Sequence, residues 1–150
     1  MNLNEYFLLK LYWSQFTTSQ IHQFYRYYPH IFQMTPKEQE TSLLRWITHH
    51  HPMFLSKFHK YKQINIQEIM KILRQLHVKY ITCFDQGYPH LLKEIYDYPL
   101  VLFYKGDEKL FLSSQTLAIV GSRKCTHYTQ EALHFFFLHL KIKILQSFLD

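Results

Sequence analysis

One short polar run in this sequence has the residue types of an anion-binding turn. The apolar residues 117–120, LAIV, lead directly into Gly121, Ser122, Arg123 and Lys124. Glycine lets a backbone approach an anion closely, the serine hydroxyl and the arginine fork donate hydrogen bonds, and the lysine adds a point charge. Because all these groups donate and no evident base or nucleophile accompanies them, the run predicts phosphate binding rather than catalysis. A plain turn between a strand and a helix, with exposed charges, is the alternative.

Other residues that could do chemistry have simpler explanations. The adjacent histidines 49–51 cannot all face one metal ion on a helix, because successive side chains point about 100° apart. Asp85, Asp97 and Asp107 fall at predicted turns, where aspartate commonly caps the backbone. We therefore predict no catalytic residue, no metal site and no cofactor.

The composition is that of a basic chain with enough apolar residues for a core. Of the 150 residues 47% are hydrophobic, and the formal net charge is +6. This charge favours acidic partners, with nucleic acid first and a membrane surface second, although a solvated basic surface has the same composition.

Cys83 and Cys125 lack the spacing of a disulfide framework or a zinc site, which fits reduced thiols in the cytoplasm. No signal-peptide pattern is evident, and the longest apolar runs are too short or too charged to predict a transmembrane helix.

The elements that must position the polar run change in character near residue 79. Residues 1–78 are predicted to form a bundle of helices. The clearest signal is the capping box of Thr35 and Glu38, with Pro36 at the first helical position. Asn65 with Glu68 is predicted to repeat this capping arrangement at the start of a later amphipathic helix.

One helix of the bundle carries a stretch with two possible roles. This second helix is predicted to begin with Thr18 or Ser19 as its cap. The basic, aromatic residues 22–30, HQFYRYYPH, begin in this helix and include Pro29, which is predicted to end it. These side chains either pack the bundle or stack nucleic-acid bases.

Residues 79–150 are predicted to be strand-rich and to present the polar run. Segments 79–84, 100–106 and 116–120 have the composition of strands, and a helix capped by Thr126 or Thr129 is predicted to extend to about residue 140. The unbroken apolar run of the third segment is typical of a parallel strand that is buried on both faces. The predicted fold class is therefore α+β or α/β. A helical bundle is followed by the first strands and helix of an incomplete, Rossmann-like parallel sheet.

Two motifs in this half resemble the DprA/Smf family of DNA-processing proteins. They are YPHLLKEIYDYPLVLFYKGD (88–107) and LAIVGSRKCTHY (117–128), and the resemblance covers about residues 79–135. It implies a SAM-like (helix-hairpin) N-terminal region followed by an extended Rossmann-like domain. It also implies a protein that binds single-stranded DNA and helps to load a RecA-type recombinase in natural transformation, and that is not an enzyme.

The resemblance further implies which residues contact the strand. They are Gly121, Ser122 and Arg123, with Arg123 as the main phosphate contact, while Lys124 is added on its charge alone. Thr129 departs from the family pattern, which usually has glycine there. The residues after 140 do not resemble the family's further loop and βα units, so we expect a truncated or frameshifted copy that lacks much of the pocket, the dimer surface and the recombinase contact. A fragment of a nucleotide-binding Rossmann-type enzyme and a non-functional interaction remnant are the alternatives.

Overall fold

The computed structural model of the chain describes residues 3–112 and 126–140. Within these residues the α-helices are α1 (Leu3–Trp13), α2 (Thr18–Tyr27), α3 (Pro36–His50), α4 (Leu55–Gln63), α5 (Ile66–Gln75) and α6 (His127–Leu140). The described strands are β1 (Lys79–Thr82) and β2 (Val101–Tyr104). Short 3-10 helices span Ile31–Gln33, Pro52–Phe54, His90–Glu94 and Glu108–Leu112. The helical character of the first half and the predicted strands at 79 and 100 are thereby confirmed.

Local side-chain hydrogen bonds begin the helices of the first half. Thr35 caps α3, where its backbone N–H donates to Glu38 Oε2 at 2.8 Å and its Oγ1 accepts from the Glu38 backbone N–H at 3.4 Å. Asn65 caps α5 by accepting from the backbone N–H of Gln67 at 3.0 Å. Both predicted capping residues are therefore confirmed, although the Asn65 side chain bonds to Gln67 rather than to Glu68. The predicted cap of α2 is wrong by at least one residue, because Thr17 is the cap and Gln20, three residues on, completes its capping box.

The two described strands pair antiparallel, and this corrects the predicted parallel sheet. Lys79 lies opposite Tyr104, and Thr82 lies opposite Val101. A parallel pair needs a long crossover, usually an α-helix, whereas the connecting segment 83–100 contains only the 3-10 helix His90–Glu94. The third predicted strand, 116–120, lies outside the described residues. The described fold is consequently helical with a small antiparallel sheet.

One apolar core extends across residue 79. The helices contribute most of its buried apolar side chains, and the sheet region contributes Ile81, Cys83, Tyr88, Leu100, Val101 and Tyr104. Polar contacts reinforce the junction: His22 Nε2 lies 2.8 Å from the Tyr98 carbonyl oxygen, and the His22 ring packs edge-on against the Tyr98 ring. The division into domains 1–78 and 79–150 stays a prediction, but its two sides are packed together over this core.

Replacing Tyr12 with phenylalanine is expected to weaken this junction. The Tyr12 hydroxyl accepts a hydrogen bond from the Leu100 backbone N–H at 3.1 Å, and Leu100 is fully buried. The variant keeps the ring but leaves a buried donor without that acceptor, so the free energy of unfolding should fall by about 1–3 kcal/mol. Urea unfolding followed by circular dichroism measures the change. Tyr128→Phe, at an exposed position, is the matched control. Equal stability of the two variants would show that the hydrogen bond between Leu100 and Tyr12 does not stabilise the junction.

The buried thiol of Cys83 is expected to react slowly. Burial raises its pKa to about 11 from the ordinary value of 9.0. At pH 8 the thiolate fraction should therefore be about 100-fold lower than in the unfolded chain, and alkylation should slow accordingly. Iodoacetamide labelling of the Cys125→Ser variant, folded and in denaturant, isolates this thiol. Equal rates in the two states would show that Cys83 is not buried in solution.

In the part of the chain that the structure describes, no helix combines the length and apolar character needed to cross a membrane.

Candidate nucleic-acid interface

The predicted phosphate-binding residues lie outside the described part of the chain. Gly121, Ser122, Arg123 and Lys124 fall between the two described ranges, 3–112 and 126–140. Their role therefore stays a prediction. The structure does describe the helix that directly follows them.

Helix α6 begins immediately after the predicted site, at a threonine cap. Thr126 Oγ1 accepts from the Thr129 backbone N–H at 3.4 Å and lies 3.0 Å from Thr129 Oγ1. This confirms Thr126, the first of the two predicted caps, and the helix accordingly begins at His127. The first turn of a helix carries backbone N–H groups without helical acceptors and the positive end of the helix dipole. Such a start favours an anion close to the preceding residues.

Two of the three aspartates that we assigned to turns make capping hydrogen bonds there. Asp85 Oδ2 accepts from the Thr82 backbone N–H at 2.6 Å and from the Thr82 hydroxyl at 2.7 Å. Asp107 Oδ1 accepts from the Lys109 backbone N–H at 3.0 Å. Asp97 lies exposed in a turn. The observed bonds of Asp85 and Asp107 confirm the structural interpretation of these two residues.

A cavity of about 540 Å³ beside the sheet carries carboxylates and is poorly suited to a phosphate. Glu5, Asp85 and Glu108 line it together with Tyr80. The Tyr80 hydroxyl donates to Glu5 Oε2 at 3.1 Å, and burial, followed by the charge of Glu5, raises the pKa of Tyr80 well above its usual range. The phenol is therefore a neutral donor that holds a carboxylate in place.

The rings of the three adjacent histidines lie 6.4 Å (His49 to His50) and 6.5 Å (His50 to His51) apart, centroid to centroid, and the last two have further partners. His50 Nε2 shares a hydrogen bond of 2.9 Å with the Tyr27 hydroxyl, whereas the His51 ring stacks on Phe54 at 5.2 Å between centroids. Among residues 3–112 and 126–140, no group of three or more His, Cys, Asp or Glu side chains is placed to hold a metal ion.

The basic, aromatic stretch 22–30 divides between the two roles left open for it. His22 and Phe24 are buried and pack the bundle, while Arg26 and Tyr27 are exposed on the surface. Packing is therefore confirmed for the inward side chains. Base stacking stays a prediction for the outward ones.

The outward side chains line an open groove between α2 and α3. The groove has a volume of about 650 Å³ and is lined by Gln23, Arg26, Tyr27, Trp46, His50 and His51. At its edge the Arg26 guanidinium lies over the ring of Tyr96, with Cζ 4.6 Å from the centroid, and donates from Nη1 to the Tyr96 hydroxyl at 2.7 Å. Sequence reasoning did not find this pair. The sequence shows an arginine among aromatic residues, but this pattern does not indicate that Tyr96, 70 positions away, is its partner.

The positive charge of the chain is concentrated in the helical half. Residues 1–78 contain nine Lys and Arg against four Asp and Glu, which gives +5 of the total of +6. Residues 6–37 and 41–67 contain neither Asp nor Glu. The groove thus lies in the part of the chain with the more favourable field for an anionic partner.

Comparison with known proteins identifies relatives for both halves of the chain. The family model described as DNA recombination-mediator protein A matches residues 79–144, somewhat further than the range of about 79–135 expected from the motifs. The DNA processing protein DprA of Bacillus subtilis is 33% identical over 69 residues, which are 46% of this chain and 23% of that protein. Protein Smf of Borreliella burgdorferi is 30% identical over 110 residues, which are 73% of this chain and 32% of that protein.

A solved structure extends the similarity to the three-dimensional fold. The X-ray structure of DNA processing protein A (DprA) from Streptococcus pneumoniae matches 89% of this chain and 44% of that chain, with a TM-score of 0.61 and 28% identity. The resemblance to the DprA/Smf family is thereby confirmed, and it includes helices as well as the motif region. The chain spans less than half of the length of these relatives.

Proposed function

We propose that this chain, a relative of the DprA/Smf family of DNA-processing proteins, binds single-stranded DNA through its phosphates and catalyses no reaction. The observation that carries the proposal is the family match over residues 79–144, which includes the Gly-Ser-Arg run. The capped start of α6 directly after that run supports it, because phosphates bind readily at helix N-termini.

Each residue of the run has a distinct proposed role. Gly121 allows the backbone to approach a phosphate, and Ser122 donates from its hydroxyl. Arg123 makes the main, forked contact with the phosphate oxygens, and Lys124 adds charge nearby. Neither Ser122 nor Lys124 has an evident partner that would make it a nucleophile or a base, which supports binding as the function.

The resemblance also implies a contact with a recombinase and a surface for self-association. We assign the contact with a RecA-type recombinase and the self-association surface to parts of the longer relatives that this chain does not cover. For the chain itself we propose DNA binding in the cytoplasm, as one step of DNA processing.

A salt titration tests the proposed function. Binding of a fluorescent oligothymidylate to the purified chain is measured by anisotropy from about 50 to 200 mM salt. We expect the logarithm of the association constant to fall linearly with the logarithm of the salt concentration, by about 0.7 for each phosphate contact. No binding at the lowest salt concentration, or an affinity independent of salt, would overturn the proposal.

A further inference from the structure

The groove between α2 and α3 offers an aromatic surface that the bundle leaves uncovered. Tyr27 is 54% exposed, and its ring lies 4.7 Å from the His50 ring, centroid to centroid. The hydrogen bond between Tyr27 and His50 holds the two rings in place. Trp46, which is 2% exposed, also lines the groove, so its lining includes aromatic rings of Tyr, His and Trp.

A cation lies at the rim of this aromatic surface. Arg26 is exposed, and the ring and hydroxyl of Tyr96 hold its guanidinium. A guanidinium has five N–H donors in a planar fork, so the Arg26 group can bond to Tyr96 and also to a phosphate oxygen. Tyr96 itself is 75% exposed and adds a further ring at the same rim.

The charges that line the groove favour an anionic partner. None of its lining residues is acidic, whereas the cavity beside the sheet is lined by three carboxylates, Glu5, Asp85 and Glu108, against one cation, Lys109. An anion is therefore favoured in the groove and disfavoured in that cavity. Because the groove pairs ring faces with a cation, its best match is a partner that carries both aromatic rings and negative charge.

We infer that this groove is a second contact for single-stranded DNA, in which a base stacks on Tyr27 and an adjacent phosphate pairs with Arg26. The inference rests on the proposed function for the identity of the partner, but it uses other residues. Arg26 and Tyr27 belong to the helical half, and Tyr96 belongs to the region that the family model matches. The groove therefore lets both parts of the chain contact one strand.

Binding of a labelled oligothymidylate to variants of the chain tests the inference. Tyr27→Ala should weaken binding by about 5- to 100-fold, since a base loses its stacking surface, while Tyr27→Phe should retain most of the affinity. The salt dependence should be unchanged in both variants, because stacking releases no counterion.

Arg26→Gln should instead reduce the slope of the salt dependence by about 0.7, because one phosphate contact is lost. Phe84→Ala removes a similarly exposed ring outside the groove and should bind as the unsubstituted chain does.

Trp46 supplies a local signal for the same experiment. The chain has two tryptophans, so the Trp13→Phe variant leaves Trp46 as the single indole, in the lining of the groove. Oligothymidylate should change its emission, whereas polyphosphate, which has charges but no bases, should not. Saturating DNA that leaves the Trp46 emission unchanged would overturn the inference.

The variants also separate this inference from the proposed function. If Arg123→Ala weakens binding and Tyr27→Ala does not, the groove contact is wrong and the proposed function stands. If Tyr27→Ala weakens binding and Arg123→Ala does not, the groove stands and the assignment of Arg123 is wrong. If the unsubstituted chain binds no oligothymidylate, both are wrong. Circular dichroism of each variant shows whether a loss of binding is a loss of folding.

Discussion

Replacement of Phe24 by alanine is expected to lower the free energy of unfolding by about 3–5 kcal/mol. Phe24 is 2% exposed, and its ring lies 6.2 Å from that of Phe7 and 5.4 Å from those of Tyr28 and Trp46, centroid to centroid. The substitution removes buried apolar surface and leaves a cavity among rigid rings, which cannot easily close it. Domains of this size are typically stable by only about 5–15 kcal/mol, so the loss is a large fraction of the total.

Urea unfolding followed by circular dichroism measures this loss. Phe24→Leu, which keeps part of the buried volume, should lose markedly less stability and remains measurable if the alanine variant does not fold. Tyr128→Ala is the matched control, because that ring is 78% exposed and its removal should cost less than about 1 kcal/mol. Similar losses for the two alanine variants would show that Phe24 is not at the centre of the core.

Replacement of Arg123 by alanine is expected to weaken binding of single-stranded DNA by about 10- to 100-fold at low salt, the range for loss of a hydrogen-bonded contact between charged groups. The slope of the salt dependence should also decrease by about 0.7, because one phosphate is no longer neutralised. Anisotropy titrations at several salt concentrations measure both quantities. The two effects together distinguish a phosphate contact from a change elsewhere in the fold.

Two further variants sharpen the test at Arg123. Arg123→Lys keeps the charge and loses the planar fork, so it should preserve the salt slope while lowering the affinity. Arg74→Ala is the matched control: Arg74 is exposed on α5, and its Nε donates to the Met70 carbonyl oxygen of the same helix. Equal weakening by Arg74→Ala and Arg123→Ala would indicate a diffuse effect of net charge and would contradict the assigned site.

Much of the helical half could be predicted because its signals are local. The capping residues Thr35 and Asn65 each bond to a backbone N–H within three positions, so the sequence already contains both partners. The assignment of Asp85 to a turn succeeded for the same reason, since its acceptor atom bonds to Thr82. The cap of α2 was misplaced because Thr17, Thr18 and Ser19 are all good caps, and only the side chain of Gln20 favours the first of them.

The direction of strand pairing could not be predicted from the strands themselves. Apolar, β-branched segments suit either direction, and the connection decides between them. Here segment 83–100 returns the chain without an α-helical crossover, so β1 and β2 pair antiparallel. The strand composition therefore predicted the positions of β1 and β2 correctly. The parallel, Rossmann-like pairing that we predicted for them was wrong.

The sequence by itself determined the starts of α3 and α5, the positions of the two described strands, the basic charge and the family resemblance, because each depends on residue types and short spacings. Only the tertiary structure decided which outward side chains meet. Arg26 and Tyr96 are 70 positions apart, and Tyr27 and His50 are 23 apart. Their contact depends on how α2 packs against α3 and against the segment before β2, and that packing follows from burial of the whole core rather than from any local pattern. The groove could therefore be found only in the folded structure, whereas the Gly-Ser-Arg run could be found in the sequence alone.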